Sequence, residues 1–94
     1  MLNETFTTHI TFVDGGGGVK EEPIGADKLA DTIHRLCEGP AAVMGIIKRA
    51  IIVDEMDRIC VEIKGRNIVY PVQMGIQQRA FRRAQNKAKN AAQN

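Results

Sequence analysis

From Arg58 to Lys64 apolar and polar residues alternate without a break. Ile59, Val61 and Ile63 fall on one side, and Arg58, Cys60, Glu62 and Lys64 on the other. A period of two marks a half-buried strand and scatters the apolar residues around any helix. Gly65-Arg66 follows, and glycine at the first central position suits a type II′ two-residue turn. That turn sets Ile63 opposite Ile68 and Val61 opposite Tyr70, so the hairpin has one apolar face. Pro71 has no N–H to give the ladder, so pairing should stop or bulge near Tyr70, with the strand at a sheet edge.

The rest of the chain must pack on this hairpin. Ile46 to Val53 reads as a neighbouring strand, joined through the acidic turn Asp54-Glu55-Met56-Asp57. Either parity of that strand carries apolar residues and one base, so its inward face stays open. A short helix from Pro40 to about Ala50 also fits the spacing of Val43, Ile46, Ile47 and Ala50. Thr5 to Val13 reads as the first strand, with Phe6, Thr8, Ile10 and Phe12 on one face and Thr7, His9 and Thr11 on the other. The four glycines from Gly15 to Gly18 end it in a flexible loop, which Val19 to Pro23 continue.

Asp27 to Glu38 predicts a helix with Leu29, Ile33, Leu36 and Cys37 on its buried face, stopped by Gly39-Pro40. At about three turns it needs the sheet for support. The order of elements gives a two-layer α+β fold: a mainly antiparallel sheet of three to four strands covered by one helix. Residues 1–72 form the compact domain. Residues 73–94 form a basic helical extension, helical to about Ala88 and frayed or disordered at its end, where NKAKNAAQN is low in complexity. In the extension Ile76, Ala80, Ala84 and Ala88, with Phe81 beside them, form a thin apolar ladder suited to weak packing on the body.

At 94 residues the chain is one domain, too small for a deep enclosed pocket. The apolar share of 44% and charged share of 26% are those of an ordinary soluble protein. No apolar run nears the roughly 18 residues of a membrane helix, and no basic-then-apolar leader opens the chain. Cys37 and Cys60 make no disulfide framework and read as reduced core thiols, which places the protein in the cytoplasm.

Chemistry-bearing motifs are sparse. The glycine run lacks the Gly-Lys-Ser/Thr ending of a phosphate loop, and Glu21-Glu22 behind it would repel phosphate. His34 and Cys37 share an i, i+3 spacing, but no second close pair completes a tetrahedral metal set. Cys37 sits near a helix C-terminus, where the dipole disfavours a thiolate, and Cys60 lies mid-strand. No base stands beside a nucleophile. The chain is therefore read as non-enzymatic, with no catalytic residue, no metal and no cofactor.

Charge is where the sequence is uneven. Through Val72 there are eight bases and eleven acids, a balance of −3; from Gln73 onward there are five bases and no acid, +5. Arg79, Arg82, Arg83, Lys87 and Lys89 gather along the second helix. Uncompensated bases on a helix face suit phosphates or an acidic protein surface. The chain is thus expected to be a small accessory protein whose basic C-terminal helix contacts nucleic acid. The alternative is an adaptor or inhibitor docking on an acidic or strand-edge surface of a partner protein, and open sheet edges add a homodimer as a further option.

Overall fold

The structure, a computed structural model, describes residues 4–92, with side chains through residue 87. It is an α+β fold on one antiparallel sheet. β1 (Thr5–Phe12) lies beside β4 (Ile47–Val53), which continues as a meander through β5 (Ile59–Lys64) and β6 (Asn67–Tyr70). Two dipeptide strands, β2 (Val19–Lys20) and β3 (Ile24–Gly25), pair one after the other along the outer edge of β1. The sheet thus has six strands rather than the three to four expected. The two extra ones were hidden because two residues cannot show a period. Val19-Lys20, expected as loop, closes the tetraglycine segment into a hairpin with β1.

A 3-10 turn (Ala26–Lys28) leads into α1 (Leu29–Glu38), and Gly39 separates it from the one-turn α2 (Pro40–Val43). Residues 40–50 are thus a short helix followed by a strand. Thr32, Leu36 and Cys37 of α1 and Ala42 of α2 are buried on the sheet face that carries Phe6, Ile10, Ala50, Ile52, Val61, Ile63 and Ile68. Two helices, not one, cover that face. The opposite face, with Thr7, His9 and Thr11, stays partly or fully open, as antiparallel sheets allow.

Each seam of the central sheet carries one bulge, and each bulge resets parity. Between β1 and β4 the pairs Thr11–Arg49 and Phe12–Ile47 leave Lys48 as the extra residue, so Ile47 joins Ala50 and Ile52 on the core side. This resolves the parity that the sequence left open. Between β4 and β5 the extra residue is Cys60, and Ile59 falls opposite Val53 instead of lining up with Val61. Ile59 is accordingly 41% exposed, against the expectation that it would be buried. Between β5 and β6 the extra residue is Val69: Ile63 faces Ile68 as expected, but Tyr70 faces Glu62, not Val61, and turns to solvent. Bulges add twist and are invisible to an alternation count. The Gly65-Arg66 turn does form, with Gly65 at φ +61 and Arg66 without a positive φ, as a type II′ turn requires.

After a cis Tyr70–Pro71 bond, α3 (Val72–Ala92) runs beside β6. Helix and strand come together at Gly75. A Cβ there would stand 2.2 Å from the Ile68 carbonyl oxygen, so only glycine fits. Gly75→Ala makes a test with opposed signs. Alanine in a free helix gains about 1 kcal/mol over glycine, whereas here it should cost about 1–3 kcal/mol by prising α3 off β6. Urea unfolding of the variant reads the sign, and a gain in stability would mean that α3 does not lie against the strand.

Candidate functional site

α3 is best described by its four i, i+4 rows, because the row that meets the body is unexpected. Met74, Gln78 and Arg82, with Gly75 beside them, are the partly or fully buried positions. The Gln78 side-chain oxygen accepts the Ile68 N–H at 2.9 Å, and its amide nitrogen donates to the Arg66 carbonyl at 3.1 Å. One glutamine thus pairs with the free edge of β6 as a neighbouring strand's peptide group would. The edge expected to lie open near Pro71 is covered here by a helix.

Arg82 completes the docking row. Its Nε and Nη2 donate to Glu38 Oε1 at 3.0 and 2.7 Å, its Nη1 donates to Asn67 Oδ1 at 3.0 Å, and Nη2 also reaches the Arg66 carbonyl at 2.9 Å. Arg66 pairs with the other Glu38 oxygen and donates from Nε to the Cys37 carbonyl at 3.0 Å. Glu38, at the end of α1, therefore holds two guanidinium groups and fastens α3 to α1 and to the β5–β6 turn.

The row opposite the body is apolar. Val72, Ile76, Ala80 and Ala84 are exposed, Ile76 at 46%. The apolar ladder expected to pack on the body thus faces outward, and the helix docks by polar side chains instead; the side chain of Ala88 lies outside the described residues. Next to it runs Arg79, Arg83 and Lys87, all exposed. The five bases singled out in the sequence are consequently not one stripe. Arg79, Arg83 and Lys87 share a solvent row, Arg82 is turned inward and paired, and the side chain of Lys89 lies outside the described residues.

The ion pairs sharpen this division. Arg35, Arg49, Arg58 and Arg66 in the body are each within 4 Å of a carboxylate, respectively of Glu21, Glu62, Asp54 and Glu38. Arg82 is likewise paired. Among the described residues, no carboxylate lies within that reach of Arg79, Arg83 or Lys87.

Between α1 and α3 lies a groove of about 440 Å³, bounded by Ala30, Ile33 and Cys37 on one wall, Met74 and Phe81 on the other, and Ile68 between. Phe81 stands at its rim, 63% exposed. The groove adjoins a polar cup of about 250 Å³ formed by Glu38, Arg66, Arg82, Gln85 and Asn86. Neither was readable from the sequence. Gly75 inside a helical stretch was the one signal of a close approach there, and nothing marked Gln78.

The thiols are unactivated. Burial raises the Cys37 thiol above its ordinary value although the Gln78 amide nearby works the other way, and burial followed by the Asp54 charge raises Cys60. Both cysteines are free. Among the described residues, no group of three or more His, Cys, Asp or Glu is placed to hold a metal ion, and no helix is long and apolar enough to cross a membrane. In the Asp54–Asp57 turn, Asp54 is lowered chiefly by the Arg58 backbone N–H; its carboxylate caps that amide and the Met56 amide, which is a structural role. The chain matches no family model, no curated protein and no solved structure.

Burial works against ionisation of Glu38, but hydrogen bonds from Arg82 and Arg66 outweigh it and hold the carboxyl below its ordinary value. A carboxyl lowered by folding lends stability above its unfolded value of about 4.3, and that stability is lost as pH falls through the lower folded value. Glu38→Gln should cost about 1–2 kcal/mol at neutral pH, allowing for the partial exposure of the pair. As pH falls through the lower folded value the two proteins should converge, because the native carboxyl is then neutral too. Urea unfolding across that range checks it; parallel curves would remove the clasp from the stability of the fold.

Proposed function

We infer that this chain is a small, non-enzymatic binding protein of the cytoplasm that associates with nucleic acid through the outward side of α3. The observation that carries the reading is the row Arg79, Arg83 and Lys87. It is exposed and lacks a carboxylate partner among the described residues, while every arginine of the body has one. Arginine forks suit phosphate oxygens. Ala80 and Ala84 beside the row carry no bulk that would hold the helix backbone away from a groove.

A second reading has its own support. The outward row Val72, Ile76, Ala80 and Ala84 next to a basic row also fits an amphipathic helix with acidic flanks on a partner protein. A homodimer through a sheet edge has less to work with. Gln78 bonds to the β6 edge, and β2 and β3 line the edge of β1, leaving only dipeptide strands outermost.

Fluorescence anisotropy with a labelled 20-bp DNA duplex tests the main reading. Three phosphate contacts give a log–log salt slope of about −2.7, or about −3.6 if Lys89 joins, so affinity should fall about 40-fold or more between about 50 and 200 mM salt. Arg79→Glu with Arg83→Glu should abolish binding without unfolding the protein. Salt-independent binding, or binding that survives charge reversal, would sink the reading. An acidic peptide that binds the intact chain but not Ile76→Asn would favour the second.

A further inference from the structure

The groove between α1 and α3 faces away from the row Arg79, Arg83 and Lys87, so it is a separate surface with its own chemistry. Its walls are mainly apolar, Ile33, Cys37, Met74 and Phe81 with Ile68 between, and His34 and Gln78 also line it. Its volume of about 440 Å³ falls within the roughly 300–1,000 Å³ range of small-ligand sites. One end opens into the polar cup, and Glu38, Arg82 and Gln85 line both. The cup holds two guanidinium groups against one carboxylate, a net charge of +1.

The two arginines differ in what they have left to offer. Arg82 gives Nε, Nη1 and Nη2 to protein acceptors. Arg66 gives Nε to Cys37 and Nη2 to Glu38, and its side chain remains 40% exposed. Its remaining N–H groups, with the exposed amides of Gln85 and Asn86, form the anion-receiving wall of the cup. Glu38 faces the same space, but each of its oxygens is already covered by an arginine.

A peptide laid in the groove would need partners for its backbone. Of the two glutamine amides that line it, Gln78 is bonded on both sides to β6 and Gln85 lies where the groove meets the cup. An alkyl chain needs none. We propose that the α1–α3 groove and its cup bind a linear aliphatic carboxylate, with the alkyl chain along Ile33, Met74 and Phe81 and the carboxylate at Arg66, Gln85 and Asn86. The site stands independently of nucleic-acid binding, because it uses neither Arg79, Arg83 nor Lys87.

Titration calorimetry of the full chain with dodecanoate, below its micelle concentration, tests this. Binding should be saturable at one site and weaken about fourfold for each methylene removed, so decanoate binds about 15-fold more weakly. Arg66→Gln should weaken dodecanoate at least about tenfold. Ala30→Phe, at an exposed α1 position on the groove wall, should block it while leaving the far-ultraviolet circular dichroism unchanged. Three results overturn the proposal: dodecyltrimethylammonium binding as tightly as dodecanoate, affinity independent of chain length, or binding indifferent to Ala30→Phe. A sedimenting dimer that dodecanoate does not dissociate, and that Ala30→Phe does, would also overturn it by assigning the groove to a second copy.

Discussion

The side-chain amide of Gln78 takes the place of a missing strand. Its oxygen and nitrogen lie on the Ile68 N–H and the Arg66 carbonyl, and both groups stay satisfied without another strand. Much else depends on it. The helix can approach because Gly75 has no side chain to meet the Ile68 carbonyl. Once close, Arg82 one turn later reaches Glu38 and the Arg66 carbonyl, and the groove between α1 and α3 takes its shape from that spacing.

Because polar groups make the attachment, the apolar side of α3 is left outward. Helices of globular proteins ordinarily bury their apolar stripe. Here the inward row is Met74, Gln78 and Arg82, and the outward one is Val72, Ile76, Ala80 and Ala84. Adjacent residues thus receive opposite fates: Arg82 is consumed by the body, and Arg83, about 100° further round the helix, is left to solvent.

Much of the sheet was legible in the sequence, because alternation over six or more residues leaves little choice of side. β1, β5 and the turn at Gly65 fell where pattern and turn chemistry placed them; β4 fell within its expected span, but its inward face, which the pattern left open, is set by the bulge at Lys48. The features that escaped are those that break a period. Lys48, Cys60 and Val69 each add one residue to a seam and reverse the facing of the strand on one side of it, which is why Ile59 and Tyr70 are exposed. The orientation of α3 escaped for another reason. Apolar content predicts which side of a helix is buried only when burial of area drives docking; specific hydrogen bonds to a strand edge decided it here. The excess of base over acid in α3 was plain from composition, yet its division into a paired arginine and a free row needed the location of Glu38.

The hydrogen bond from Ile68 to Gln78 also separates two kinds of opening. Amide protons inside the β4–β5 ladder exchange with solvent only when the sheet itself comes apart, whereas the Ile68 N–H leaves the sheet on its free side. Its protection depends on a glutamine side chain, so it is lost whenever α3 lifts, even if β6 stays paired to β5. A single backbone proton therefore reports how often the helix is off the body, and the terminal helix and the sheet become separable units of local stability within one small fold.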